Sequence, residues 1–135
     1  MKRSVATGAK ACVSAVALLA ASLGLGVATG GPASAATCYG GAVKFTKYID
    51  HSFSEVFTTS SACQDINLKM TYGGGTSREV RVCFYHSNDT LNYCQSSYKV
   101  AYVDQWKVIA SDVKDNVKYR YQFKTSGSVT AYTAD

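Results

Sequence analysis

Side chains able to do acid, base or nucleophilic chemistry are few in this sequence: two histidines, nine acidic residues and five cysteines among 135 residues. His51 stands in the run Asp50-His51-Ser52-Phe53-Ser54, which holds the letters of a hydrolase triad. A triad needs base and nucleophile on one side of the backbone, and neighbours on an extended chain point to opposite sides, so this run reads as a solvated strand end. His86, with Glu79 and Arg81 upstream, offers the acid, base and cation that a small nuclease would use. Strand parity turns Glu79 and Arg81 away from His86, whose nearest expected partner is Asp89. The run Gly73-Gly74-Gly75-Thr76 lacks the Gly-Lys-Ser/Thr of a phosphate loop and precedes a strand, so a hairpin turn is expected there.

The elements that would position these groups depend first on what is removed from the chain. Residues 1–36 run from a basic start (MKRSVATGAK) through an apolar stretch, Ala11 to Ala28, to a Gly-Pro turn and the small-residue site Ala33-Ser34-Ala35. These are the three zones of a secretory signal peptide. The apolar run is rich in Ala, Gly and Ser and is weakly hydrophobic for a membrane anchor, and Cys38 lacks the upstream Leu of a lipobox. Removing Lys2, Arg3 and Lys10 with that segment leaves 11 basic against 9 acidic residues in 37–135. A net charge of +2 gives no electrostatic argument for nucleic acid or an anionic membrane as partner. The expected product is a single secreted, extracellular domain spanning 37–135.

Cys12 leaves with the signal, so Cys38, Cys63, Cys83 and Cys94 remain, an even number in an exported chain. Cys83 and Cys94 are equidistant from the Asn88-Asp89 step, and VRVCFYHS and TLNYCQS read as the two strands of one hairpin. Antiparallel pairing about that step sets Cys83 opposite Cys94, Phe84 opposite Tyr93 and His86 opposite Leu91. Cys38 is then left to pair with Cys63, and each bridge should stabilise the domain by roughly 3 kcal/mol. Val82, Phe84, Leu91 and Tyr93 are expected on the core side of the hairpin, with Arg81, Tyr85 and the bridge on the other. The cysteines have no metal-ligand spacing, and neither a metal nor another cofactor is expected.

Alternation with period two dominates the remainder, and no stretch carries a helical period. The clearest strands are INLKMTY, with Ile66, Leu68, Met70 and Tyr72 on one face, and VKYRYQF, with Val117, Tyr119, Tyr121 and Phe123 opposed to Lys118, Arg120, Gln122 and Lys124. Weaker patterns occupy 42–50, 55–58, 78–86, 92–96, 98–103, 106–110 and 129–133. Gly73 to Gly75, Ser87 to Asp89, Ser111-Asp112, Asp115-Asn116 and Ser126 to Ser128 punctuate them. This pattern implies an all-β fold, a small disulfide-stapled antiparallel β-sandwich.

The segment WKVIASDVKDNVKYRYQF, Trp106 to Phe123, resembles the corner of fibronectin type III and immunoglobulin-like sandwiches. The resemblance implies that Val113 plugs the core, that Asp115-Asn116 forms the bend, and that the Tyr119 hydroxyl bonds back to the backbone. It carries no function, because function belongs to sites and not to folds. The Ala-rich signal resembles in style those of secreted actinobacterial proteins, which implies a bacterial source.

All ten tyrosines lie after residue 36, more than a core of this size absorbs. Parity sets several of Tyr39, Tyr48, Tyr85, Tyr98, Tyr102 and Tyr132 away from the apolar face. Such residues supply rigid contact area at small entropic cost. Tyr85, Tyr98 and Tyr102, with the cationic set Lys118, Arg120 and Lys124, are therefore the candidate binding residues, the cations suited to acidic groups, and Lys114 lies nearby in sequence. The reading is a non-enzymatic binding or assembly module acting on a secreted or cell-surface protein, or on a glycan. The segment Thr37 to Gly41 is expected to be a mobile end able to add a strand to a partner. A secreted antagonist (toxin component or inhibitor) and a small hydrolase such as a nuclease are the alternatives. Amino-terminal sequencing of the exported protein should begin at Ala36 or Thr37; an uncleaved, membrane-bound chain of 135 residues would refute the targeting assignment.

Overall fold

The computed structural model describes residues 33–135, so most of the expected signal, residues 1–32, lies outside the described residues. One short helix, α1 (Ala33–Gly40), precedes nine strands: β1 (Val43–Lys47), β2 (Phe57–Thr58), β3 (Ile66–Tyr72), β4 (Ser77–Tyr85), β5 (Leu91–Cys94), β6 (Lys99–Tyr102), β7 (Trp106–Ala110), β8 (Lys118–Phe123) and β9 (Val129–Ala134). Each strand falls within about a residue of an alternating segment in the sequence, and the connections hold the expected breakers. Asp89, Asp104, Asp112 and Asn116 take positive φ at these connections (65°, 60°, 54° and 59°), a conformation that Asn and Asp tolerate better than most residues.

The strands form two antiparallel sheets. One has the order β1-β9-β3-β7; the other runs β2-β8-β4-β5, with β6 pairing the start of β4 on the same side as β5. Between them lies an apolar core of Phe45, Ile66, Leu68, Met70, Val80, Val82, Phe84, Ile109, Tyr119, Tyr121 and Phe123. Tyr121 sits at its centre, stacked on Phe45 at 5.7 Å and edge-on to Tyr119 at 5.6 Å. Val113 packs against the edge of the core, as expected of a plug below the turn.

Both buried phenols carry a hydroxyl that must find a partner, because an unpaired one costs about 1–3 kcal/mol. The Tyr121 hydroxyl donates to Asn67 O at 2.9 Å and shares a bond with Thr133 Oγ1 at 2.8 Å. The Tyr119 hydroxyl bonds Thr133 Oγ1 at 2.7 Å and donates to the Asp135 carboxylate. Tyr119 thus reaches side chains of the last strand and the residue after it, not the backbone carbonyl implied by the corner resemblance. The reason is its place on β8, which sets the ring against β9 of the facing sheet.

Lys47 is the other buried polar residue with a long side chain, 2% exposed. Its ammonium donates to the carbonyls of Tyr48, His51 and Ser126, tying the β1–β2 connection to the β8–β9 turn. Burial, then the nearby Arg78 charge, holds its pKa below the ordinary lysine value.

Further expectations need correction. Gly73 to Gly75 join β3 to β4, which lie in different sheets, so the run is a crossing between sheets and not a hairpin turn. Gly74 has φ 64°, and the Arg78 side chain fills the space beside it while donating to Gly73 O. A bulge between Met70 and Tyr72 turns Tyr72 out of the core face into solvent. In the β4–β5 hairpin Cys83 faces Cys94 and Phe84 faces Tyr93, but Tyr85 faces Leu91, because Asn92 is an extra residue without a ladder partner. Leu91 therefore shares the outer face with Tyr85 and is 55% exposed, while the His86 N–H bonds Thr90 O. Thr37 to Gly40 are helical rather than extended. The Cys38–Cys63 bridge ties them down, and Tyr39 rests on Trp106 at 4.7 Å with its hydroxyl 3.4 Å from Asn67 Oδ1.

Burial raises the pKa of Tyr119 and of Tyr121 far above the ordinary 10.0, because desolvation penalises a phenolate there and the nearby Asp135 carboxylate adds to it. A raised folded pKa means that the stability from these groups is complete below the unfolded value and is lost as pH climbs above it. Alkaline titration followed by phenolate absorbance should show two of the ten tyrosines ionising only together with loss of β circular dichroism. Tyr121→Phe, which removes the bonds to Asn67 O and Thr133 Oγ1, should destabilise by about 1–3 kcal/mol in urea unfolding; an unchanged midpoint would show that the hydroxyl network adds nothing to stability.

Candidate binding face

Strand β8 serves the core and the surface at once. Its odd positions fill the core, and its even positions, Lys118, Arg120 and Gln122, continue through Lys124 on the outer face of the second sheet. Register with β4 sets Lys118 beside Tyr85, Arg120 beside Cys83 and Gln122 beside Arg81. On the far side of β4, Val100 pairs Glu79 and Tyr102 pairs Ser77, so both also point outward. Tyr98 completes the row, its ring 4.7 Å from the Arg81 guanidinium and 6.0 Å from the Lys124 ammonium. All six residues singled out from sequence, Tyr85, Tyr98, Tyr102, Lys118, Arg120 and Lys124, thus share one face.

The four cations of this face are not equivalent. Lys118 pairs Asp89 at 2.7 Å and donates to Ser87 O, which takes Asp89 away from its expected partner His86. Lys124 pairs Glu79 at 2.8 Å. Both pairs are exposed, where such contacts contribute about 0–1 kcal/mol. Arg81 donates to Gln122 Oε1 at 2.7 Å and to Gln95 O at 3.0 Å. The Arg120 side chain makes no hydrogen bond or ion pair within the described residues; its Nε is buried without a partner, and its guanidinium lies 5.7 Å from the Tyr85 ring. A recess of about 550 Å³ opens beside it, shared with Phe53, Asp50, His51 and Glu55. The cation whose donors remain unspent is Arg120.

Sequence reasoning missed two apolar members. Leu91 reaches this face only through the bulge at Asn92, which no local pattern marks. Val100 stands between Lys99 and Ala101, both of which face the other way, and Val, Ala and Tyr in succession leave the parity ambiguous. The Cys83–Cys94 bridge lies on the outer side as expected, although Cys83 is fully buried there, with Sγ 3.6 Å from Gln122 Oε1.

The groups considered for catalysis are dispersed or committed elsewhere. Ser54 shares the recess with His51, yet its buried hydroxyl donates to Glu55 O and accepts the Tyr121 N–H. Glu79 and Arg81 are held by Lys124 and by Gln122, and exposed His86 sits at the hairpin tip. Among the described residues no group of three or more His, Cys, Asp or Glu side chains could hold a metal ion. No helix among them is long and apolar enough to cross a membrane. The chain is similar to no known family model, curated protein sequence or solved structure.

The contrast between the two arginines is measurable. Arg81→Ala removes two hydrogen bonds and a ring contact and should destabilise by about 1–3 kcal/mol. Arg120→Ala removes a donor that has no partner and should change stability by less than about 1 kcal/mol. Urea unfolding of both variants checks this, and a larger loss at Arg120 would mean that its role is structural.

Proposed function

We propose that this protein is a small secreted, non-enzymatic binding or assembly module, and that the outer face of its second sheet is the contact surface. The observation that carries the reading is Arg120: a half-buried guanidinium without a hydrogen-bond partner, 5.7 Å from the Tyr85 ring, on a face that also carries Leu91, Tyr98, Val100 and Tyr102 further across β4, β5 and β6. Arginine and tyrosine dominate the residues on which binding energy concentrates, because each combines a broad flat contact with directed donors. The partner is then a secreted or cell-surface protein that presents a carboxylate to Arg120 and apolar surface to the tyrosines. An acidic glycan is the chemical neighbour of that choice. An antagonist, either a toxin component or an inhibitor, would use the same face against its target.

We read the fold as immunoglobulin- or fibronectin type III-like in architecture, on the support of two packed antiparallel sheets and the turn from Val113 to Asn116. Export is supported by the two disulfides and by the order of zones in residues 1–36. The hydrolase alternative gains nothing from the positions of Glu79, Arg81 and His86.

Affinity capture from the secreting culture, with the wild-type protein and with single variants as bait, tests the proposal. A stoichiometric partner is expected, with Arg120→Ala, Tyr85→Ala and Tyr102→Ala each weakening its binding by roughly 1–2 kcal/mol. His51→Ala, His86→Ala, Glu55→Ala and Glu79→Ala should stay within a few-fold of wild type. One His or Glu variant that abolishes a turnover assay, with the arginine and tyrosine variants silent, would move the protein to the enzymes.

A further inference from the structure

A second recess lies away from the outer face, where the two sheets part. Tyr93 points inward by its pairing with Phe84, but the facing sheet has no strand opposite β5, so the ring is 54% exposed. It forms one wall of a cleft of about 530 Å³. Phe84, 5.0 Å from the Tyr93 ring, forms the floor with Ala110, Val113 and Val117.

The walls of this cleft are fixed. Gln95 spans the gap between the sheets, accepting the Val82 N–H at Oε1 and donating from Nε2 to Ile109 O. Lys99 reaches across to Val108 O at 3.5 Å. The loop after β7 is pinned where Val113 N–H bonds Gln64 O and Asp112 N–H bonds Asp65 Oδ1. On the rim of this rigid frame the side chains of Asn92, Asp112 and Lys114 make no hydrogen bond or ion pair with other described residues.

We propose that the cleft binds a pyranose sugar ring, as a site separate from the outer face. The half-exposed Tyr93, with the Phe84 ring tilted 34° behind it, offers an apolar ring surface on which the C–H face of a pyranose can rest. The ring's hydroxyls each need both a donor and an acceptor in reach, and the rim supplies a carboxylate, an amide and an ammonium whose capacity is unspent. A plug of pure hydrocarbon would strip water from Asp112 and Lys114 and return no hydrogen bond, which is costly. A phosphate or sulfate would meet the Asp112 carboxylate. The volume lies within the range of small-ligand sites and accepts one or two rings.

The exported, disulfide-bonded protein, titrated with glucose, galactose, N-acetylglucosamine, cellobiose and chitobiose under NMR observation, tests this. At least one saccharide should move the Tyr93 ring and Val113 methyl signals with a millimolar dissociation constant. Tyr93→Ala and Asp112→Asn should each weaken that binding by about tenfold or more. Asn keeps the positive φ available at position 112, so the second variant preserves the loop. Tyr102→Ala, on the outer face, should leave it unchanged, and Tyr93→Ala should leave capture of a protein partner intact, so the two readings fail separately. Silence of these signals with all five sugars overturns the proposal. Shifts from p-cresol with none from the saccharides also overturn it, and would make the cleft an anchor for an aromatic side chain.

Discussion

Two tyrosine hydroxyls at the centre of the sandwich govern how its sheets meet. Apolar side chains pack against one another in many offsets at similar cost, since the hydrophobic effect has no direction. Buried phenols do not have that freedom. Tyr121 must reach Asn67 O on β3, and both Tyr119 and Tyr121 must reach the single Thr133 hydroxyl on β9. A slide of one sheet over the other by one residue would separate these partners and leave several buried polar atoms unpaired. The network therefore selects one stacking of the sheets from the set that the hydrophobic pattern allows.

Fixing β8 in this way also fixes what lies on its back. The residues between the two tyrosines and on either side of them are Lys118, Arg120 and Gln122, and their positions follow from the core with no further choice. Their neighbours on β4 are set by the same register, so the row of Tyr85, Cys83 and Arg81 is aligned with them. A change inside the core that shifts β8 by one residue would exchange the buried and the outer sets outright. The outer face is thus a direct product of the core and not an independent decoration on it.

Much of this arrangement is legible in the amino-acid sequence. Strict alternation in VKYRYQF separates Tyr119 and Tyr121 from Arg120, and the even spacing of Cys83 and Cys94 about the hairpin tip names their bridge. What the pattern does not carry is whatever depends on a residue that breaks the period or on a partner far along the chain. The bulge at Asn92 moves Leu91 from the expected core side to the outer face, and the one at Thr71 turns Tyr72 of the other sheet from its expected core side into solvent. The crossing at Gly73 to Gly75 looks in sequence like a tight hairpin turn, because the same flexible residues serve both purposes. The exposure of Tyr93 has a different origin, since its inward parity follows from the alternation but the facing sheet ends before it. The distinct role of Arg120 among four cations is also out of reach, as it depends on which carboxylates and amides the fold brings to the other three.

The hairpin chemistry adds rigidity to the proposed contact surface. Binding costs roughly 0.5–1.5 kcal/mol for each rotamer-rich side chain that it immobilises, so a face that is ordered beforehand binds more tightly through the same contacts. Cys83 lies directly across from Arg120 and is bonded to Cys94, which locks β5 to β4 beneath the guanidinium. At the tip, Asn88 Oδ1 accepts both the N–H and the hydroxyl of Thr90, while Lys118 holds Ser87 O and Asp89. Tyr85 and Leu91 are carried between these two ties. Arg120 itself lies 5.7 Å from the Tyr85 ring and makes no hydrogen bond to the described residues, which leaves its donors unspent. Orientation without neutralisation is what the proposed carboxylate contact would require of Arg120, because a guanidinium already paired would have to break one bond to form another.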